Sequence, residues 1–320
     1  MGLEPYRNQN NIAGGVFDKT APAVFGLLSA LELSNNSKAG VFAPIGGFES
    51  VSNAFSSLAK EMNVTIEYGI SVTKVMDEGV YFINKTATKA NIATTEFLPS
   101  DLVIVNADIP YAFQTLLNKK EDTTAQSQEP REEYDWDDSF DFSSGVIAFH
   151  WSVNKRLNSL NTHNVFMISN NTLDAQNSWQ CLREKQEDGP NSSNCTMQPV
   201  QEPFNFYVHR PSKEDTSAAP KDCDVLMILV PCFPLSRNTS LSHVTKEEAI
   251  ATYQKLYSKE VINNVKSLVL KRLALLSDLE HLEHFIVDED VTTPADYANL
   301  YNVGAGVPFG LVRHLAANEQ

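Results

Sequence analysis

A change of hydrophobic period within residues 41–107 constrains the fold most strongly. The apolar run Val41-Phe42-Ala43 has the character of a buried strand, and the adjacent glycines Gly46 and Gly47 follow it. Apolar residues then recur at three- and four-residue steps, which predicts an amphipathic helix of about four turns: Phe48, Val51, Phe55, Leu58 and Met62. Paired glycines at a strand-to-helix turn indicate either positive φ or a group pressed close against the backbone. The glycines alone leave both interpretations open.

The same region continues with the patterns of extended chain. Strict alternation over 64–72 predicts a strand with one buried face. The turn Asp77-Glu78-Gly79 leads into a hairpin partner over 80–83. The unbroken apolar run 102–105 is typical of a strand covered on both faces. Together these elements predict part of an α/β domain.

The second half of the chain has a different pattern. Segments rich in β-branched and aromatic residues predict a mostly antiparallel sheet that forms one wall of a cavity: 145–153, 165–168, 204–208 and 225–230. Thr245 and Glu248 form a capping box ahead of a long helix. The apolar stripe of this helix is predicted to pack in the core, and only secondarily to line a ligand site. Its residues are Ile250, Tyr253, Tyr257, Val261, Val265 and Leu268.

Composition narrows the classes of function. The 320 residues suffice for about two domains. A net charge of −15 argues against nucleic acid as a partner, because phosphate binding needs a basic face. Part of the acidity lies in 121–141, a polar segment that reads as a solvated surface insertion. No stretch reaches the roughly 18 apolar residues of a membrane span, and no signal peptide or other targeting segment is visible.

Several motifs in the sequence suggest a functional site, but their spacing or neighbours argue against it. The glycines of 304–310 (GAGVPFG) have the wrong spacing for a dinucleotide loop and include a proline, so a plain loop is predicted. His150 reads as an interior or edge histidine. His281 and His284 share a helical face but lack a third ligand nearby, so no metal site is predicted. Four cysteines show no metal-binding spacing; Cys181 and Cys195 are predicted as free thiols, with a bridge as the alternative.

Five segments in register resemble carotenoid desaturases of the bacterial and fungal phytoene-desaturase type, which are related to the flavin amine oxidases. They are FAPIGGFESVSNAFSSLAKEMNVTIEYGISVTKV, DLVIVNADIPYAFQTLL, SSGVIAFHWSVNKRL with HNVFMIS, FNFYVHRPSKEDTSAAPKDCDVLMILVP, and TTPADYANLY with FGLVRH. The resemblance runs from about Gly2 to His314. It implies a flavoprotein that binds FAD and introduces double bonds into a carotenoid precursor.

The resemblance also implies where a cofactor lies. Gly46 and Gly47 would lie beside the flavin, Val72 would contact the adenine end through its backbone, and Asn106 and Ala107 would approach the cofactor after the central strand. No catalytic residue is predicted. Rival functions are a carotenoid isomerase, a retinol-saturase-like reductase of the same superfamily, and a non-catalytic carotenoid- or lipid-binding fragment.

The fold class implied is a partial FAD-binding Rossmann-like domain with an α+β substrate domain of antiparallel sheet and helices. The predicted division is 1–40, the start of the substrate-domain region; 41–118, the FAD-binding segment; 119–142, the acidic insertion; 143–314, the substrate domain; and 315–320, a return to the FAD domain. The FAD pyrophosphate loop is absent from this sequence, which reads as a fragment lacking both ends. Alone, it is expected to lose FAD and to aggregate.

The partner implied by the resemblance is a long polyene hydrocarbon, which favours peripheral contact with a membrane. The electron acceptor is left open between a quinone and oxygen. In a photosynthetic eukaryote, a plastid is the expected compartment.

Overall fold

The computed structural model describes residues 44–85, 94–117, 141–168, 204–232 and 257–312. It combines helices with antiparallel sheets, so the mixed α/β character predicted from the sequence is confirmed at this level. Two regions carry most of the regular structure. The turn-and-hairpin region comprises 44–85 and 94–117, and the large-sheet region comprises the described residues from 141 onward.

Helix α1 spans Gly47–Glu61, as the three- and four-residue spacing predicts. Its last turn ends at Met62, whose N–H donates to the Leu58 carbonyl. None of its side chains is buried. Phe48 is 80% exposed and Phe55 is 69% exposed. The amphipathic pattern therefore forms the helix, but no described element covers its apolar stripe.

The hairpin sheet follows, with strand order β1-β2-β3. Strands β1 (Ile70–Met76), β2 (Gly79–Asn84) and β3 (Thr95–Pro99) are antiparallel, and the predicted turn joins the first two. The strand predicted over 64–72 begins only at Ile70. Gly69 has a φ of 71°, which takes the chain out of the extended conformation, and its carbonyl accepts the last hairpin bond from Lys85.

The apolar run 102–105 is not a strand, and the prediction that both its faces are covered is wrong. Leu102 is 77% exposed and Ile104 is 83% exposed. An apolar run becomes a central strand only when neighbouring strands satisfy its backbone groups, and no described strand pairs with it. A short helix, Ile109–Tyr111, follows and continues as a π-helical turn, Ala112–Leu116, that lies against β1.

The large sheet consists of β5 (Gly145–Val153), β6 (Asn164–Met167), β7 (Phe206–His209), β8 (Asp224–Cys232) and β9 (Ile286–Thr292). Its strand order is β6-β7-β8-β5-β9, and every neighbouring pair is antiparallel. The predicted antiparallel sheet is confirmed, whereas the cavity that it was predicted to line stays a prediction. β5 and β8 pair along their whole length, from Gly145 opposite Cys232 to Val153 opposite Asp224. A separate two-stranded ribbon joins β4 (Asp141–Phe142) to β10 (Leu311–Val312).

The core lies between the large sheet and helix α2, Lys259–Leu273. Phe149 and Ile228 from the sheet are fully buried in it, together with Val269 of the helix. The long helix predicted from Thr245 is wrong where it crosses 257–258: Tyr257 lies in a turn, and Ser258 caps α2 by accepting from the Val261 N–H. The predicted capping box lies outside the described residues.

Strand β9 forms an edge of the large sheet and carries Asp288, Glu289 and Asp290. Charged residues on an edge strand discourage pairing with another chain. Helix α3 (Pro294–Tyr301) follows through a complete capping box between Thr293 and Asp296. The segment 304–310 is a loop with one 3₁₀ turn, as predicted. Among the described residues, no helix has both the length and the apolar character needed to cross a membrane.

Candidate functional site

The Gly46–Gly47 turn is a left-handed turn at the N-terminus of α1. The φ angles are 82° at Gly46 and 73° at Gly47. The Gly47 N–H donates to the Pro44 carbonyl at 3.0 Å, which closes the turn. A Cβ placed on Gly47 would meet no atom of the described residues within 4 Å. Of the two sequence interpretations, positive φ is therefore confirmed, and no atom of the described residues fills the space over Gly47.

A distant carboxylate holds this turn. The Gly46 N–H donates to Asp215 Oδ2 at 2.8 Å, across 169 residues of sequence. Asp215 lies in the segment 211–218, between strands β7 and β8 of the large-sheet region. Sequence reasoning missed this residue, although it stands within one of the five segments that carry the family resemblance. Only that motif, and no local periodicity, pointed to the segment.

A second carboxylate–glycine contact joins the same two regions. Asp108 Oδ2 accepts from the Gly304 N–H at 3.1 Å. Asp108 directly follows Asn106 and Ala107 and is the N-cap residue of the helix Ile109–Tyr111. The loop 304–310, which was not predicted to bind a dinucleotide, therefore holds Asp108, three residues after the 102–105 segment.

Of the remaining predicted cofactor residues, Asn106 and Ala107 directly precede Asp108, whereas Val72 lies apart on β1. Val72 is half-buried on β1, and the pairing register with β2 shifts between Val72 and Lys74. A β-bulge of this kind bends a strand and is common beside functional sites. Asn106 and Ala107 are exposed. No described hydrogen bond connects the turn to Val72 or Asn106, so the five-residue set stays a prediction.

A buried ionic network supports the loop that carries Asp215. The Asp224 carboxylate accepts from Arg156 at 2.7 Å, from Arg210 at 2.8 Å, from Ser212 Oγ at 2.7 Å and from the Leu157 N–H at 2.7 Å. Burial alone would raise the pKa of this carboxyl group, but these hydrogen bonds outweigh burial and lower its pKa. Both oxygens are committed to neighbours, which makes the group structural.

A histidine cluster lies on the 3₁₀ turn Leu282–Phe285. The rings of His281 and His284 are nearly parallel, 5.7 Å apart, and the possible ligand atoms of His281, Glu283 and His284 lie within 4.8 Å of one another. The expectation that no third ligand stands nearby is therefore wrong, because Glu283 supplies one. All three side chains are exposed. The prediction that the chain holds no metal site stays a prediction.

The other reactive groups described do not form a catalytic constellation. His150 projects from β5 as an exposed residue. Burial raises the pKa of the Cys232 thiol to about 12, so it stays protonated and a poor nucleophile at neutral pH. Its sulfur accepts from the Tyr257 hydroxyl at 3.4 Å.

Comparison with known proteins identifies sequences that are similar to this chain. No protein-family model matches it. It is 28% identical to a phytoene desaturase of Neurospora crassa, covering 91% of this chain and 42% of that protein. It is 25% identical to a phytoene desaturase of Phycomyces blakesleeanus, covering 97% and 43%. It is 27% identical to the zeta-carotene-forming phytoene desaturase of Myxococcus xanthus, covering 93% and 47%.

The chain thus spans a little under half the length of these curated relatives. The match includes both regions of the fold, since more than nine tenths of the chain is covered in each case. The resemblance predicted from the five segments is confirmed. By sequence, this chain is similar to proteins named phytoene desaturase along nearly its whole length.

Proposed function

We propose that this chain is part of an FAD-dependent oxidoreductase that introduces double bonds into a long polyene precursor of carotenoids. The observation that carries the proposal is the match to proteins named phytoene desaturase along more than nine tenths of the chain. The relatives come from two fungi and a bacterium, and the shared name describes one type of reaction.

The Gly46–Gly47 turn fits a flavin cofactor. Within the part of the chain that the structure describes, a Cβ on Gly47 would have no neighbour within 4 Å, so this backbone leaves room for a planar ring to approach closely. Gly46, Gly47, Val72, Asn106 and Ala107 are the residues that would hold the cofactor, through backbone atoms. When bound, the flavin supplies hydride acceptance from the hydrocarbon.

The chain itself would align the polyene with the flavin ring and exclude water from the reacting atoms. In this proposal, residues 41–118 are the cofactor-binding segment, of a Rossmann-like domain, and residues 143–314 are the substrate-binding domain. What supports the division is the difference in packing, because the large sheet has its own core and the turn-and-hairpin region leaves apolar surface open. Asp215 and Asp108 tie the two parts together by their bonds to glycine amides.

The substrate would be a long hydrocarbon, which dissolves in the acyl region of a bilayer. We therefore propose peripheral association with a membrane, in a plastid if the source is a photosynthetic eukaryote. An exposed apolar surface suits either a membrane or a protein partner. Liposome flotation of the full-length gene product tests this part: recovery with the vesicles supports it, and recovery only in the soluble fraction contradicts it.

The reaction itself is tested with the full-length gene product and phytoene. The expected result is bound flavin, released on denaturation, and products with longer conjugation that absorb at longer wavelength. Product chromatography distinguishes the rivals. Products with an unchanged number of double bonds and altered geometry would instead identify an isomerase, and products with fewer double bonds a reductase.

A further inference from the structure

The amide of Gly46 has an unusual acceptor. Gly46 is the N-cap residue of α1, and no side chain caps the helix locally. In a capping box, the side chain at the third helical position returns to the N-cap amide, and that position is held here by Glu49. The Gly46 amide instead donates to Asp215, 169 residues away. A long-range contact has replaced a local one at this turn.

The Asp215 carboxylate is itself fixed. Its Oδ1 accepts from the Ser217 N–H at 2.9 Å and from Ser217 Oγ at 2.6 Å, while Oδ2 accepts from Gly46. It is the N-cap residue of the 3₁₀ turn Thr216–Ala218. Hydrogen bonds from the Ser217 side chain, the Gly46 amide and the Ser217 amide lower its pKa, so the acceptor is charged at neutral pH.

The position also suits a negative charge. Asp215 lies at the N-terminus of the 15-residue helix α1, where the helix dipole favours anions. Two adjacent glycines form the least restrained dipeptide available, so an unanchored turn would sample many conformations. A charge-assisted bond to the first of them restricts the pair to the observed left-handed geometry.

We propose that Asp215 is a positioning residue: it holds the Gly46–Gly47 turn in the geometry that receives the isoalloxazine ring of the flavin. This inference rests on the proposed function. Asp215 acts through the Gly46 amide and touches neither substrate nor reacting atoms. It also couples the substrate-binding part of the chain to the flavin, because its carboxylate belongs to the large-sheet region.

The test uses the full-length gene product and three variants. Asp215→Ala removes the acceptor, Asp215→Asn keeps one acceptor oxygen without the charge, and Asp222→Asn makes the same charge change on an exposed residue of the same loop. Hydrogen exchange followed by mass spectrometry reports on peptides covering 44–52. The visible spectrum and the flavin retained after desalting report on the cofactor.

Asp215→Ala is expected to accelerate exchange at this turn roughly 3- to 10-fold, the loss of one hydrogen bond. It is also expected to shift the flavin bands and lower flavin retention. Asp215→Asn should fall between Ala and the wild type, and Asp222→Asn should match the wild type. Melting curves for each variant separate these local effects from loss of the fold.

The outcomes are distinguishable. Unchanged exchange at 44–52 in Asp215→Ala overturns the contact itself. Faster exchange with an unchanged flavin spectrum and retention reduces Asp215 to a structural residue and overturns the positioning role. A wild-type protein that takes up no flavin, even with added FAD, refutes the proposed function and with it the positioning role, while the exchange data still decide whether Asp215 holds the turn.

Discussion

The two regions of this chain use similar sequence patterns with opposite results. In the large-sheet region, apolar residues at strand and helix spacing meet one another, and Phe149, Trp151 and Val269 are buried in a shared core. In the turn-and-hairpin region, an equally regular pattern forms α1, but its apolar side chains face outward. Periodicity is a local property that selects the element, whereas burial requires a partner at the right place.

Two described hydrogen bonds join the regions. Asp215 and Asp108 each accept from a glycine amide of the opposite region. Such bonds fix orientation but bury little apolar area, so they give the turn-and-hairpin region its position rather than its stability. We expect the large-sheet region to respond strongly to mutation of its core and the other region to respond weakly.

The largest effect is expected from a matched pair of phenylalanines. Phe149 is 0% exposed in the large sheet, whereas Phe55 is exposed on α1. Phe149→Ala should lower the free energy of unfolding by about 3–5 kcal/mol, because it removes buried contacts and leaves a cavity. Phe55→Ala should change it by less than about 0.5 kcal/mol. Urea unfolding of residues 1–320 measures both; equal losses would abolish the distinction between the regions.

The buried ionic network gives the next largest effect. Asp224→Ala leaves the Arg210 guanidinium buried beside Arg156 without their carboxylate, which should cost about 3 kcal/mol. Asp288→Ala on the exposed edge of the large sheet is the control and should cost under about 0.5 kcal/mol. Thermal unfolding compares the two variants. A small loss in Asp224→Ala would mean that the network contributes little to the large-sheet region.

A matched pair of glycines tests the open face of the turn. Gly47 and Gly310 have φ angles of 73° and 72°, and an added Cβ at either position meets no described atom within 4 Å. Alanine should therefore cost about 1–2 kcal/mol of backbone strain at both positions. In the full-length gene product, Gly47→Ala should in addition reduce flavin retention and Gly310→Ala should not. Equal retention in both variants would place the flavin elsewhere.

The loss of folding stability in acid is expected to arise from carboxylates of the large-sheet region. Burial opposes ionisation of Asp224 and Asp278, yet hydrogen bonds to each lower the pKa below its usual value. A depressed folded-state pKa adds stability above the unfolded value of about 3.9 and loses it as pH falls through the folded value. Unfolding measured from pH 6 downward should show this loss, with a shallower slope in Asp224→Asn. An identical slope would contradict the assignment.

Local elements were predictable, and long-range contacts were not. The spacing of Phe48, Phe55 and Leu58 was sufficient to predict α1, and a turn flanked by apolar runs was sufficient to predict the β1–β2 hairpin. The sequence-based predictions failed where one residue or a distant neighbour determines the backbone conformation. Gly69 and Ser258 each redirect the backbone within an otherwise continuous pattern. The run 102–105 has strand composition but no described partner strand.

The candidate site divides in the same way. The adjacent glycines at 46 and 47 predict a turn from the sequence alone, because few other residues adopt positive φ without strain. The Asp215 bond to Gly46 joins two residues that are 169 positions apart, so it depends on how the two regions pack. No local sequence pattern predicts a contact over that separation. Only the resemblance of the segment around Asp215 to a family motif brought it into consideration.

The visible spectrum after desalting, recorded for residues 1–320 and for the full-length gene product purified side by side, decides whether residues 1–320 suffice to hold the flavin. In the proposed function, the turn-and-hairpin region supplies only backbone contacts to the flavin, while the large sheet carries its own core. The expected result is flavin absorbance in the full-length product, and a colourless, aggregation-prone chain of residues 1–320 whose large sheet still unfolds cooperatively. A stable, near-stoichiometric flavin spectrum on residues 1–320 alone would contradict it.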